Sequence, residues 1–506
     1  MTIHISEANI IAVDAAHGTR PFKGDILIEG SRIAHVGEPL VTPDGARRID
    51  GRNRLVIPGL VNAHVHSWEA MFKGRYDNMP LEIWMLYSYP LVGTKALDPR
   101  LIYLRSMIVA MESLKNGVTC LVDDIIELPV QGMDAIDAVF DAYHDIGIRA
   151  NVSGHVINRP FLDTIPFTRE YLPSDLIADV SRIKVPTVKN YLDFAGEVVK
   201  KHQDRSDRLR YLVAPSGPQR CTEEMLKAVH DFAREIKSAY HIHVLETKVQ
   251  AVAGREFYGR TLVQYLDDLG VLTNISTLAH SIWVTDRDIA CMAERGSSVA
   301  HNPISNQKLG AGIAPFRKLL DAGVNVALGS DGISSNDTSR MLDVMQVAGL
   351  LHKVTTPECG LWPTASEIIY AATMGGARSV QLQNEIGSIE TGKRADLVLF
   401  DLETINFTPQ NDLLNHLVYC ENGSSVEKVF VNGEIVVDDG ELTKVNEGAL
   451  VRELRERYDA FSEHHKGVEQ LNRRFEPYFK KIHKHCCGEN IELNRYSAPP
   501  NEWLLS

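Results

Sequence analysis

The chain has no stretch of about 18 uninterrupted apolar residues, so nothing in it reads as a membrane span. Its first residues, Met1 to Asn9, lack the basic run and apolar segment of a secretory leader. Positive charge is not in excess either. The 66 acidic residues against 53 lysines and arginines leave −13, which argues against a general electrostatic grip on nucleic acid or an anionic membrane. Cysteine is sparse, seven residues from Cys120 to Cys487 at no repeated spacing, so no disulfide framework is expected and a reducing, cytoplasmic setting fits. What is present is a globular composition, 44% hydrophobic and 24% charged over 506 residues, too long for one ordinary domain and suited to a small partner.

The segment Ile10 to Leu55 alternates short apolar runs with turn residues, the pattern of antiparallel strands. The same texture returns at Ala395–Asp401 and Val426–Val437, where Asn432-Gly433 signals a two-residue hairpin. Residues 1–57 and 390–447 are therefore expected to pair into one small β-sandwich domain. Between them, eight buried-looking runs alternate with amphipathic stretches. They begin at Leu55, Cys120, Arg149, Tyr211, His241, Thr277, Ser298 and Val324. Their span is close to the roughly 250 residues of a (β/α)8 TIM barrel, which carries its chemistry at the carboxyl ends of its strands. Residues 58–389 are assigned to that α/β barrel. From 448 to 506, Leu450, Val451, Leu454, Tyr458 and Phe461, then Val468, Leu471 and Phe475, fall at helical spacing, giving a helical extension that packs on the body or on another subunit.

His64-Val65-His66 follows the first run, and alternation along an extended chain points both imidazoles the same way, so they can share a metal. His243 ends the fifth run, His280 ends the sixth and Asp331 follows the eighth, all at one mouth of the barrel. Imidazoles with a carboxylate form a mixed set that suits zinc or iron rather than magnesium or calcium.

On these residues the chain resembles the amidohydrolase superfamily, in the branch of mononuclear-metal deaminases and triazine hydrolases. The motifs are Pro58-Gly-Leu-Val-Asn-Ala-His-Val-His66, His243-Val-Leu-Glu246, Leu278-Ala-His280, His301-Asn-Pro-Ile-Ser-Asn306, Gly329-Ser-Asp-Gly332 and Gly387 through Leu397, in the family's order. The resemblance implies that His64, His66, His243 and Asp331 bind one divalent metal, zinc first and iron second. It implies further that Glu246 is the proton shuttle and that His280 lies beside the reacting centre. Those roles make chemical sense. A metal lowers the pKa of a bound water towards 7, Asp331 can accept its proton, Glu246 can protonate a ring nitrogen and then the leaving amine, and His280 can hold the attacking water. Three residues beyond His243, Glu246 would face away in a regular strand, so it must lie where the strand has turned into its loop.

Two departures refine the class. Leu212–Pro218 has no lysine to bridge a second metal, and Ser216 stands where adenosine-type members carry a histidine, which weakens a nucleoside reading. Trp84 and Tyr87 could sandwich a flat heterocycle, Asn158 and Arg159 could donate to a carbonyl or carboxylate, and Asn302 and Asn306 follow the seventh run. Asp123-Asp124 and the tail run His483–Cys487 lack the spacing of a metal site. The expected activity is hydrolytic deamination of a cyclic nitrogen compound. The alternatives are chloride, amine or aniline release from an s-triazine or arylurea, and a non-catalytic barrel that serves in assembly. Self-association into a homo-oligomer is expected, through the tail.

Overall fold

Eight parallel strands form the central barrel of the computed structural model, which describes residues 1–496. Barrel strand 1 is Leu60–His66, 2 is Val118–Asp123, 3 is Arg149–Val156 and 4 is Leu209–Pro215; 5 is Tyr240–Val244, 6 is Ser276–His280, 7 is Ser298–His301 and 8 is Asn325–Leu328. They are hydrogen-bonded in chain order. The chain leaving strand 8 then pairs Asp331 with Val65 and Gly332 with His66, so strand 8's own continuation closes the sheet onto strand 1. The intervening helices have the amphipathic pattern that a barrel wall requires. Glu223–Glu235 buries Met225, Leu226, Val229 and Ala233 and is capped by Thr222, whose side chain accepts from Met225 N. Asp286–Arg295 starts with a reciprocal Thr285/Asp288 capping box and stops at Gly296, φ 67°.

The first of the eight expected runs belongs elsewhere. Arg54–Pro58 pairs antiparallel with Leu397–Asp401 and parallel with Thr2–Ile10, in a nine-stranded mixed sheet built from both chain ends. Barrel strand 1 starts at Leu60 instead, so His64 and His66 lie within a strand rather than after one. The transfer between sheets takes one residue, Gly59, where a Cβ would come within 2.0 Å of Thr119 Oγ1. In the end-built sheet, Val398 and Phe400 face the large core shared with the barrel wall, whereas Leu397 and Leu399 meet Ile3, Ile5, Ile26, Ile28 and Phe430 in a core of its own. The expected hairpin is there: Val431 pairs with Glu434, and Asn432 and Gly433 take φ of 55° and 77°.

Two helices, Glu447–Asn472 and Glu476–Gly488, form the carboxyl-terminal extension; the last ten residues assigned to it lie outside the described residues. Phe475, Phe479, Ile482 and Cys486 enter a second core with Trp68, Trp84, Leu86, Leu162 and Val249, contributed by segments that follow barrel strands 1, 3 and 5. The extension thus roofs the barrel's carboxyl-terminal mouth. Val468 is buried on the expected face, while Leu471 is 45% exposed. All seven cysteines are free, and no helix among the described residues is long and apolar enough to cross a membrane.

Candidate active site

Period-two alternation in barrel strand 1 puts His64 and His66 on one face, and strand 5 adds His243. Asp331 joins them because its backbone turns left-handed, φ 64°, where the chain leaves strand 8. Its Oδ1 stands 3.3 Å from His64 Nε2 and 3.4 Å from His66 Nε2, and the Nε2 atoms of His66 and His243 are 3.3 Å apart. Each ring is fixed from behind. His66 Nδ1 donates to the Asp124 carbonyl at 2.6 Å, His243 Nδ1 donates to the Ser216 carbonyl at 3.0 Å, and His64 Nδ1 meets His241 Nε2 at 2.8 Å. A carbonyl can only accept, so His66 and His243 donate from Nδ1 and present Nε2 to the cluster.

This arrangement fits a divalent cation. His64 Nε2 is fully buried, aims into the cluster and has no hydrogen-bond partner among the described residues. Charge points the same way. Burial and the neighbouring His66 hold His64 down to about 4, and burial holds His243 well below its ordinary range. Burial also pushes Glu69 and Glu246 up to about 7. Burial acts against a charged His66, but Asp331, Glu69 and Asp124 outweigh it and lift the ring to about 9. A buried group of carboxylates facing imidazoles is short of positive charge, and its mixed nitrogen and oxygen donors suit zinc or iron.

Glu246 reaches the site through a backbone reversal. Leu245, immediately after strand 5, takes φ 54°, which breaks the alternation and swings Glu246 back over the mouth. Its Oε2 lies 3.8 Å from His280 Nε2, which is also 3.8 Å from Asp331 Oδ2. His280 is held by Asn306 Oδ1 at 2.9 Å from its Nδ1, with Asn302 Nδ2 at 3.4 Å. Asn302 and Asn306 therefore support His280 and are not among the residues lining the cleft.

The cleft above this group is walled by Trp68, Leu81, Trp84, Met85, Tyr89 and Leu309. Trp84 lines it as expected. Tyr87 does not: it donates to Glu476 of the extension. Asn158 and Arg159 are also turned away. Asn158 brackets Thr222 with bonds of 3.0 and 2.8 Å, and Arg159 donates to Tyr258 and the Gln219 carbonyl. Position after a strand brought them to the mouth, but loop bonding claimed their side chains. Three acidic or basic lining residues were not anticipated, Glu69, His155 and Arg220. Asp124, whose pairing with Asp123 lacks the spacing of a metal site, accepts from His155 Nδ1 at 2.9 Å behind the cluster; Asp123 instead takes the backbone and hydroxyl of Ser67 and the hydroxyl of Tyr143. No periodicity signals these partnerships, which only the closed barrel creates.

Comparison with known proteins gives the family and the fold. The model of the Amidohydrolase family matches residues 55–436. A 5'-deoxyadenosine deaminase of Methanopyrus kandleri is 34% identical over 409 residues, 80% of this chain and 86% of that protein. An adenosine deaminase of Xanthomonas campestris solved with bound zinc is 26% identical, with a TM-score of 0.79 over 90% of this chain and 98% of that one. A triazine hydrolase from Arthobacter aurescens shares the fold, with a TM-score of 0.81 and 24% identity over 90% of this chain and 99% of that one.

Proposed function

The chain belongs to the amidohydrolase family, and from that premise we propose that it hydrolyses the bond between a heterocyclic carbon and its amino group, releasing ammonia. Amino-substituted purines and their nucleosides are the first substrates to try, since the relative from Methanopyrus kandleri is a 5'-deoxyadenosine deaminase. That relative outweighs the doubt raised by Ser216. The observation that carries the reading is the unpartnered Nε2 of His64 facing Asp331 beneath a Glu246 turned inward by Leu245. His64, His66, His243 and Asp331 would hold one divalent ion, zinc first and iron second, and that ion would supply Lewis acidity and a water acidic enough to attack near neutral pH.

The chain's own residues account for the proton movements. Asp331, its carboxyl held below the ordinary range chiefly by His280, His64 and His66 against the opposing effect of burial, stays ionised and can take a proton from the attacking water. His280, fixed by Asn306, orients that water towards the ring carbon. Glu246, raised to about 7, exchanges protons readily at neutral pH, so it can protonate the ring nitrogen, pass on to the departing amine the proton that Asp331 took from water, and recover the hydroxyl proton as the carbonyl forms. Water adds to carbon, the C–N bond breaks, and a carbonyl and ammonia are left. The apolar walls and the roof keep bulk water from the reacting groups. Free cysteines support a cytoplasmic setting, and self-association remains the expected assembly.

The test is ammonia release by the zinc- and iron-loaded full chain from aminopurines, adenosine-type nucleosides, pterins, s-triazines and arylureas, with chloride and amines measured in parallel. Ammonia from an amino heterocycle is expected. Chloride, alkylamine or aniline release without ammonia would overturn the deaminase reading.

A further inference from the structure

The cleft wall carries a cation with no carboxylate in ion-pair contact among the described residues, although Glu246 lines the same cleft. Arg220 ends the short turn Pro218–Arg220 at the exit of barrel strand 4 and lines the cleft with Glu246 and His155. Its Nη1 donates to Ser216 Oγ at 3.1 Å and its Nη2 points at Met85 Sδ at 3.2 Å; both partners are neutral. Its Nε is buried and has no partner among the described residues. The two fully buried guanidinium groups among the described residues are neutralised, whereas Arg208 and Arg210 are satisfied by backbone carbonyls. Arg149 grips Asp396 with bonds of 2.8 and 3.0 Å, and Arg105 is paired with Glu127. A half-buried guanidinium with no carboxylate in contact can take its partner from a molecule bound in the cleft.

The position is built rather than accidental. The backbone N–H groups of Asn158 and Arg159 donate to the Arg220 carbonyl at 3.3 and 3.2 Å, and Arg220 N donates to the Gly217 carbonyl at 3.0 Å. The loop after strand 3, whose side chains avoid the cleft, thus anchors the arginine from behind. Leu81, Met85 and Leu309 offer no strong hydrogen-bonding groups, and Trp84 offers only the buried, unpartnered N–H of its indole, a further donor. Guanidinium only donates, so an oxygen acceptor on the bound molecule gains and an N–H edge in the same place does not.

We propose that Arg220 is a specificity-determining residue, and that the substrate is an amino heterocycle bearing an oxygen acceptor, a ring carbonyl or an attached carboxylate, that this guanidinium takes. This deepens the aminohydrolase reading and rests on it. The test uses the full-length, zinc-loaded Glu246→Gln protein so that ligands bind without turnover. Matched pairs are titrated calorimetrically: 2-aminopurine against guanine for the ring carbonyl, and pterin against pterin-6-carboxylate or adenosine against adenosine-5'-carboxylate for the appended acid. The oxygen-bearing member of one pair is expected to bind about tenfold tighter or more, and which pair shows it identifies the source of the oxygen. With Arg220→Met added, that preference should shrink to about twofold or less, while Arg220→Lys retains part of it. Unchanged melting and metal content certify the fold of each variant. Equal weakening of both members, or a preference untouched by the methionine variant, would overturn the role of Arg220 alone. Failure of every heterocycle to bind would overturn the aminohydrolase reading and this inference together.

Discussion

His483 Nδ1 lies 3.0 Å from Glu82 Oε2, although 401 residues separate the two in the chain. The other oxygen of the same buried carboxylate accepts from Thr247 Oγ1 at 2.6 Å. Thr247 caps the helix that follows Glu246, and Glu82 sits two residues from Trp84 in the cleft wall. One carboxylate therefore fastens the extension to both the wall and the residue that follows Glu246. Sequence spacing treats the histidine and cysteines of this stretch as a chance cluster; the fold uses the histidine as an anchor.

The roof can be loosened without touching the metal group. Phe479 is 1% exposed and faces Phe161 with ring centroids 6.3 Å apart. Phe479→Ala should cost about 3–5 kcal/mol of packing, lower the melting temperature, and raise KM more than it lowers kcat, because Trp84 and Met85 lose their backing. Calorimetry and steady-state kinetics measure both. A lowered melting temperature with an unaltered KM would show that the roof has no bearing on the cleft.

Glu246→Gln keeps the shape of the side chain and removes its proton. Turnover should fall by about 10²–10⁴-fold with metal content unchanged by elemental analysis. A variant that keeps its turnover would contradict the shuttle role.

Asn306→Ala deprives His280 Nδ1 of its 2.9 Å partner. The ring is then free to rotate, and kcat should drop by about tenfold or more while metal binding is unaffected. A rate within twofold of the parent would mean that packing alone orients His280.

Gly332 lies next to Asp331, and a Cβ there would meet Glu69 Oε2 at 1.9 Å. Gly332→Ala should push Glu69 off Ser334 and shift Asp331, lowering metal affinity and activity together, as read by competition with a chromogenic chelator. Parent-like affinity would sink this prediction.

Acidification should weaken the extension. Burial holds His465 down to about 4, against the opposing pull of Glu469, with Arg75 and His464 nearby and Tyr76 Oη 2.8 Å from its Nε2. A histidine whose pKa falls on folding contributes stability that is whole above about 6.5 and is lost as pH drops towards 4. Glu469, lowered despite burial by Arg75 and Tyr76, acts in the same sense at lower pH. The melting temperature should therefore fall between pH 7 and 5, and His465→Gln should flatten that fall. Parallel curves for the two proteins would assign the loss to other groups.

Much of this was legible in the sequence, for identifiable reasons. Period-two spacing announces His64 and His66, and the strand ends announce His243, His280 and Asp331, because in a parallel barrel position along a strand fixes height in the mouth. Glu246 is legible as a residue that must escape its strand, but not the means: leucine at 245 gives no sign of a left-handed turn. The run from Leu55 to His66 hides the change of sheets because both halves are equally apolar, and only Pro58-Gly59 marks it. Tyr87, Asn158 and Arg159 illustrate the opposite failure, since a polar or aromatic residue near the mouth need not face it. Glu69, Arg220 and the roof depend on partners far away in the chain, which local pattern does not encode.

The pairing of Asp331 with Val65 has a consequence for how the protein assembles. Strand 1 and the exit of strand 8 are the two edges that meet when the ring shuts, and each brings part of the cation cage to that seam. An incomplete ring holds a pair of imidazoles on one edge and no carboxylate opposite them. A cation held there would act as a clasp across the joint, rewarding only the fully wound chain, and would so proofread barrel closure.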